Sequence, residues 1–126
     1  MKKLLAATAI AALALAAPAM AQMAPTKTGS SAKGKVLTDD HGMTLYTFDK
    51  DKGGKSACNG KCAENWPPLM AASGTKGSKG YTLIKRDDGK MQWAYKGKPL
   101  YTWVKDKKAG DVTGDGVNKV WHIAKP

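Results

Sequence analysis

The sequence predicts an all-β fold: a small antiparallel sheet domain, sandwich or barrel-like, built from two internal repeats with pseudo-twofold symmetry. Two observations predict it. In Leu45-Tyr46-Thr47-Phe48 and Leu100-Tyr101-Thr102-Trp103, side chains alternate with period two, so that Tyr and the second aromatic share one face and Leu and Thr the other. Moreover, Gly42 to Lys52 lies over Gly97 to Lys107 at an offset of 55 residues, with seven of eleven positions identical. The same offset carries Trp66 onto Trp121. A second landmark kept in register across dissimilar residues marks a duplication, with repeats at about 35–66 and 90–121.

In chain order, the 126 residues open on Lys2 and Lys3, an apolar run from Leu4 to Ala17, and Ala19-Met20-Ala21, the small residues a signal peptidase accepts before Gln22. Residues 1–21 are therefore expected to be a cleaved bacterial signal peptide. The apolar run is short for a span of roughly 20 residues, so no transmembrane segment is expected after cleavage. The destination is the periplasm or the extracellular medium. Gln22 to Lys33, rich in Thr, Ser, Gly and Lys, reads as a disordered linker. A single β domain of two repeats is expected over 34–126.

Within that domain, Val36 to Thr38 and Met91 to Tyr95 are expected strands. Asp40-His41-Gly42 and Lys96-Gly97-Lys98 supply the glycine that tight hairpins need before the next strands, Leu45 to Phe48 and Leu100 to Trp103. Tyr81 to Ile84 and Met91 to Tyr95 flank Arg86-Asp87-Asp88-Gly89, a third hairpin signal. Val120 to Ile123 reads as a short strand, while the matching segment of the first copy is bent by Pro67 and Pro68.

Export decides the reading of Cys58 and Cys62, because an oxidising compartment lets paired thiols close. They are expected to form a disulfide, a local staple whose five-residue loop stabilises by about 2 kcal/mol. The alternative is a periplasmic metal-binding or redox protein using Cys58 and Cys62, which would need a βαβ framework that the chain does not suggest. Asp111, Thr113 and Asp115 with Gly116 resemble the start of a calcium loop, but the twelfth place is His122 rather than an acid. The segment reads as turn chemistry. His41 and His122 are not repeat equivalents and read as solvated or satisfied side chains. No metal, cofactor or catalytic residue is assigned.

Tyr46, Phe48 and Asp51, repeated as Tyr101, Trp103 and Asp106, resemble the bacterial secreted-repeat family of predicted lipoproteins with a Y-x-[FWY]-x-x-D motif. Cys58 to Leu69, Arg86 to Gly89 with Gln92, Gly97 to Tyr101 and Gly110 to Gly114 extend the resemblance over Lys35 to Trp121. It implies a secreted repeat protein of unknown function. The chain departs from the lipidated pattern by lacking a cysteine near the cleavage site. The motif residues, with Trp66 and Trp121, are candidates either for the core or for a ligand site between the repeats.

The net charge is +11, and 20 of the 21 basic residues are Lys. Lysine lacks the planar fork used to read bases, and export removes nucleic acid as a partner. Dispersed lysines such as Lys50, Lys52, Lys55, Lys61, Lys105, Lys107 and Lys108 keep a sheet protein soluble and blunt its edges. Their functional counterpart is adsorption to anionic cell-envelope components. No nucleophile with an adjacent base is visible. The sequence thus points to a monomeric, non-enzymatic envelope or binding module of unknown ligand.

Overall fold

A computed structural model describes residues 25–126. The signal peptide expected at 1–21 and the first residues of the expected linker lie outside them. Among the described residues the architecture is eight short antiparallel strands, one α-helix of about a turn and a half and a single 3-10 turn at Val117–Lys119. The strands are β1 (Lys27–Ser31), β2 (Gly34–Thr38), β3 (Tyr46–Phe48), β4 (Met70–Ala71), β5 (Tyr81–Lys85), β6 (Met91–Tyr95), β7 (Lys98–Pro99) and β8 (Trp121–Ile123). The helix α1 (Lys61–Asn65) stops at Trp66 because Pro67 follows it and disfavours helical backbone in the residue before. The fold is all-β in small antiparallel sheets: β1 with β2, β3 with β8, and β6 flanked by β5 on one side and by β4 and β7 on the other.

The two copies exchange their closing segments. Leu37 donates its N–H to Ala124 O at 2.9 Å and accepts from Leu45 N at 2.9 Å, while Ala124 N donates to Leu45 O at 2.8 Å. In the other half, Trp93 donates to Leu69 O at 2.8 Å and accepts from Leu100 at 3.0 Å, and Leu69 N donates to Leu100 O at 2.9 Å. The end of the second repeat thus wedges into the first, and the end of the first into the second. The hairpins expected from Gly42 and Gly97 form at their turns and are then spread by these insertions. At the centre Tyr46 and Tyr101 exchange N–H···O bonds of 2.7 and 3.0 Å, so the pseudo-dyad runs between them.

Two expectations are corrected. Lys27–Ser31, inside the expected linker, is the strand β1, paired along its whole length with β2 from Lys27↔Thr38 to Ser31↔Gly34. Its own side chains are mostly exposed and polar, so composition carries no signal; the pairing backbone and the apolar residues of β2 hold it. Second, Leu100 to Trp103 is not a regular strand, and only Tyr101 makes bridges, to Tyr46 and Pro68. The repeat-equivalent ladder does form, as Tyr46↔Ile123 to Phe48↔Trp121. Pro68 stands where the other copy has Ile123, and a proline has no N–H to extend a ladder.

Period-two alternation sorts the core into two layers. Leu37, Leu45, Leu100 and Ala124 pack together on one side. On the other, Val36, Tyr46, Cys58, Trp66, Tyr101, Trp121 and Ile123 form the larger cluster, with Phe48 and Trp103 against it.

Candidate functional site

The motif residues converge on the pseudo-dyad. Trp66 and Trp121 stack face to face, centroids 3.7 Å apart and planes 3° from parallel. Phe48 stacks on the outer face of Trp121 at 4.1 Å, and Trp103 on the outer face of Trp66 at 3.9 Å. Each end ring therefore caps the tryptophan of the other repeat. Tyr46 meets Trp66 edge-on at 5.5 Å, and Tyr101 meets Trp121 at 5.1 Å. Such edge-to-face placement sets the positive rim of one ring on the negative face of the next.

The tyrosine hydroxyls cross over as well. Tyr46 Oη donates to Asp106 Oδ2 at 2.6 Å, and Tyr101 Oη donates to Asp51 Oδ2 at 2.7 Å. The second oxygen of each carboxylate holds its own loop: Asp51 Oδ1 accepts from Ala57 N at 2.6 Å, and Asp106 Oδ1 from Thr113 N at 2.9 Å and Thr113 Oγ1 at 2.6 Å. The spacing Tyr-x-aromatic-x-x-Asp thus has one geometric meaning: Tyr and aromatic reach into the other repeat, and Asp turns back to receive the other repeat's tyrosine.

Both tyrosines are fully buried. Burial, with the adjacent carboxylate, pushes both phenols well above their usual range. Asp51 is also held above the usual carboxylate range, by burial first, although the Ala57 N–H, the Tyr101 hydroxyl and Arg86 each pull it down. These groups are engaged with one another, and of them Asp51 also borders a small crevice beside Lys98.

Arg86, placed in a hairpin turn by the sequence, is the residue that sequence reasoning underrated. It is only 5% exposed. Nη1 donates to Ser56 Oγ at 2.9 Å and Gln92 Oε1 at 2.8 Å, and Nη2 to Cys58 O at 2.6 Å and Asn59 Oδ1 at 3.3 Å. Ser56 Oγ also bonds Tyr101 Oη at 2.7 Å, and Gln92 Nε2 donates to Leu100 O at 2.7 Å. One guanidinium therefore ties β6 to the cysteine loop and, through Ser56, to the Tyr101 hydroxyl that bonds Asp51. The signal was available: it is the one Arg in a chain that otherwise uses Lys, and only a planar fork serves four acceptors at once.

Cys58 and Cys62 are joined in a disulfide with Cα atoms 5.1 Å apart. Cys58 is fully buried, and no cysteine is free among the described residues. The calcium-like segment is committed elsewhere. Asp111 Oδ2 accepts from Lys107 N and Lys108 N, which hold its carboxyl below the usual range together with the Lys108 side chain. Asp115 reaches Ile123 N and Lys33. His122 Nε2 lies 2.7 Å from Asp49 Oδ2 on the surface, and His41 Nδ1 lies 3.0 Å from Asp40 Oδ1 in its turn. Asp39, Asp40 and His41 have ligand atoms close enough to share a cation, but they form an exposed turn.

A family profile described as a secreted repeat of unknown function matches residues 27–70 and again 82–125. The chain belongs to this family. The two matched stretches are 55 residues apart at both ends, the offset at which the motif repeats, and the first begins at β1. Neither the curated proteins nor the solved structures yield a match. As a member of a family of secreted repeats, the protein is exported. No helix among the described residues is long and apolar enough to cross a membrane.

Proposed function

We propose that this protein is a non-enzymatic binding module of the bacterial envelope, which associates through its lysines with anionic envelope components. The observation that carries the reading is how the charges are divided. Asp39, Asp51, Asp88, Asp106, Asp111 and Asp115 spend carboxylate oxygens on backbone N–H groups within the fold. Among the described residues, only Lys33 and Lys108 pair with a carboxylate. Six of the ten acids thus have carboxylate oxygens occupied by the fold, whether buried or at the surface, while most lysines carry no carboxylate partner, so the basic excess is left largely unpaired for a partner to meet.

The motif supports the same reading from the other side. Its hydroxyls and carboxylates, the groups a hydrolase would need free, are bonded to each other across the dyad. The exported chain acts as a monomer whose repeated motif is spent on holding two repeats together, with its surface left for binding. Co-sedimentation with vesicles of phosphatidylglycerol and of phosphatidylcholine, across a salt series, tests this. Binding to the anionic vesicles alone, fading as the Debye length falls below about 8 Å, is the expected result. Equal behaviour with both vesicle types at low salt overturns the proposal.

A further inference from the structure

A groove of about 270 Å³ lies where the second repeat's hairpin turn meets the C-terminal segment. Lys96, Lys98 and Lys125 all line it, and no carboxylate does. Its base is Tyr95 with the edges of Ile123 and Ala124, and Thr47 brings a hydroxyl from β3. Lys98 also borders a neighbouring crevice with Asp49 and Asp51, but those carboxylates are already bonded to His122 and to Tyr101 and Ala57. Lys96 Nζ sits 5.1 Å from the Tyr95 ring centroid and Lys125 Nζ donates to Lys33 O, which leaves each cation without an anionic partner.

The duplication provides an internal control. At the same offset, Lys96, Lys98 and Lys125 correspond to His41, Met43 and Met70, and Tyr95 to Asp40. The fold therefore does not require cations at these places, since the other copy is built without them. Lys96 also occupies a costly position. It has φ 50 and precedes Gly97 at φ 83, a two-residue turn with both residues left-handed, where Asn or Gly is the residue of least strain. Three like charges gathered at one groove, one of them on strained backbone, call for an anion.

We propose that this groove is a binding site for the phosphate of an anionic lipid headgroup, with the lysines on the phosphate and the lipid's first carbons over Tyr95 and Ile123. Lysine suits phosphate as a mobile point charge, and an apolar base beside the cations fits an amphiphile better than a free ion. The inference rests on the proposed envelope association and assigns it a place.

The test compares two triple variants of the full chain with equal loss of charge. One is Lys96→Asn, Lys98→Gln, Lys125→Gln, with Asn chosen to suit the turn. The other is Lys52→Gln, Lys61→Gln, Lys90→Gln, all exposed and outside the groove. Each is titrated with phosphatidylglycerol vesicles, with soluble dihexanoyl phosphatidate and with inorganic phosphate, and thermal midpoints confirm that both fold. The groove variant is expected to lose at least about tenfold in affinity for vesicles and phosphatidate, and the control about twofold or less. Equal losses in the two variants overturn the groove while leaving the general envelope association standing. Wild-type protein that binds phosphatidate through the groove but ignores vesicles does the reverse. Inorganic phosphate bound as tightly as phosphatidate overturns the lipid assignment, because the apolar base would then contribute nothing.

Discussion

The loop that follows Asp51 and the loop that follows Asp106 have the same task and accomplish it with different chemistry. Each must receive the other repeat's tyrosine and deliver a tryptophan to the dyad. The first does so with a disulfide, a buried Arg86 and Ser56. The second lays its backbone directly on the aromatic column. A Cβ on Gly114 would meet Trp66 Cη2 at 2.9 Å and Trp103 Cγ at 3.0 Å, and Gly114 N donates to Tyr46 Oη at 3.2 Å. The equivalent place in the first copy is Asn59, which is exposed. Among what the repeats share in sequence, Tyr, the second aromatic, Asp and Trp are the residues that cross between them. The loops that stay within one copy differ in both sequence and chemistry.

Removing a shared element should affect the whole molecule, and equally from either side. Trp66→Ala and Trp121→Ala each delete a ring with aromatic contacts on both faces and one edge, so each is expected to cost about 3–5 kcal/mol. The double variant should cost less than the sum, because the two rings contact each other. Urea unfolding measures this. A single variant costing under half of its counterpart would break the equivalence of the copies.

Removing an unshared element should be lopsided. Arg86→Met leaves Cys58 O, Ser56 and the Gln92 side chain short of donors in a buried place, and a loss of about 2–3 kcal/mol is expected. Hydrogen exchange should speed up over 56–62 and little over 111–117. Uniform acceleration would show that the arginine supports the dyad rather than one loop.

How much of this was legible beforehand follows the same division. The offset of 55, the strands at Val36 to Thr38, Tyr46 to Phe48 and Met91 to Tyr95, and the sorting of Tyr from Leu onto opposite faces are legible, because period-two patterns and glycine turns are local. Cys58 and Cys62 were readable from their spacing and the exported context. The exchange of closing segments was not, since strand pairing over long separations leaves no trace in either segment alone. β1 carries no signal of its own, because an edge strand of Lys, Thr, Gly and Ser is held by its neighbour's backbone. The loss of the Leu100 to Trp103 strand was in principle visible in Pro67 and Pro68, but only to a reader who knew which segment they faced. The repetition of Tyr46 and Asp51 as Tyr101 and Asp106 is legible, but their crossed pairing is not, because each bond joins residues 50 or more apart in the chain.

The disulfide should matter less than Arg86. Cys58→Ala with Cys62→Ala removes a constraint on a five-residue loop, for an expected loss of about 2 kcal/mol or less, and the fold should survive. The second repeat manages its loop without one, and Arg86 still grips Cys58 O. Thermal unfolding with and without reductant checks it. Complete unfolding on reduction would mean that the first loop depends on its covalent bond in a way the second copy does not suggest.

The smallest expected effect separates the loops by pH. Asp51 is held above the usual carboxylate range, chiefly by burial, so the fold favours its protonated form. The stability it contributes is fully present below the unfolded value of about 3.9 and is lost as pH rises through its elevated folded value. In the second repeat the sign is opposite. Hydrogen bonds from Lys107 and Lys108 backbone hold Asp111 low, and Asp115, which burial alone would raise, is brought low by Lys33 and Ile123 N. Those two contribute above the unfolded value and lose it as pH falls. Asp51→Asn should therefore become more stable relative to wild type as pH rises above about 3.9, where the unfolded aspartate is ionised and the native one still resists ionisation. Paired urea midpoints at several pH values give the sign directly. A variant that grows relatively less stable over that interval would mean that Arg86 and the Ala57 N–H outweigh burial, and that the two loops, for all their different parts, present the same electrostatics to their aspartates.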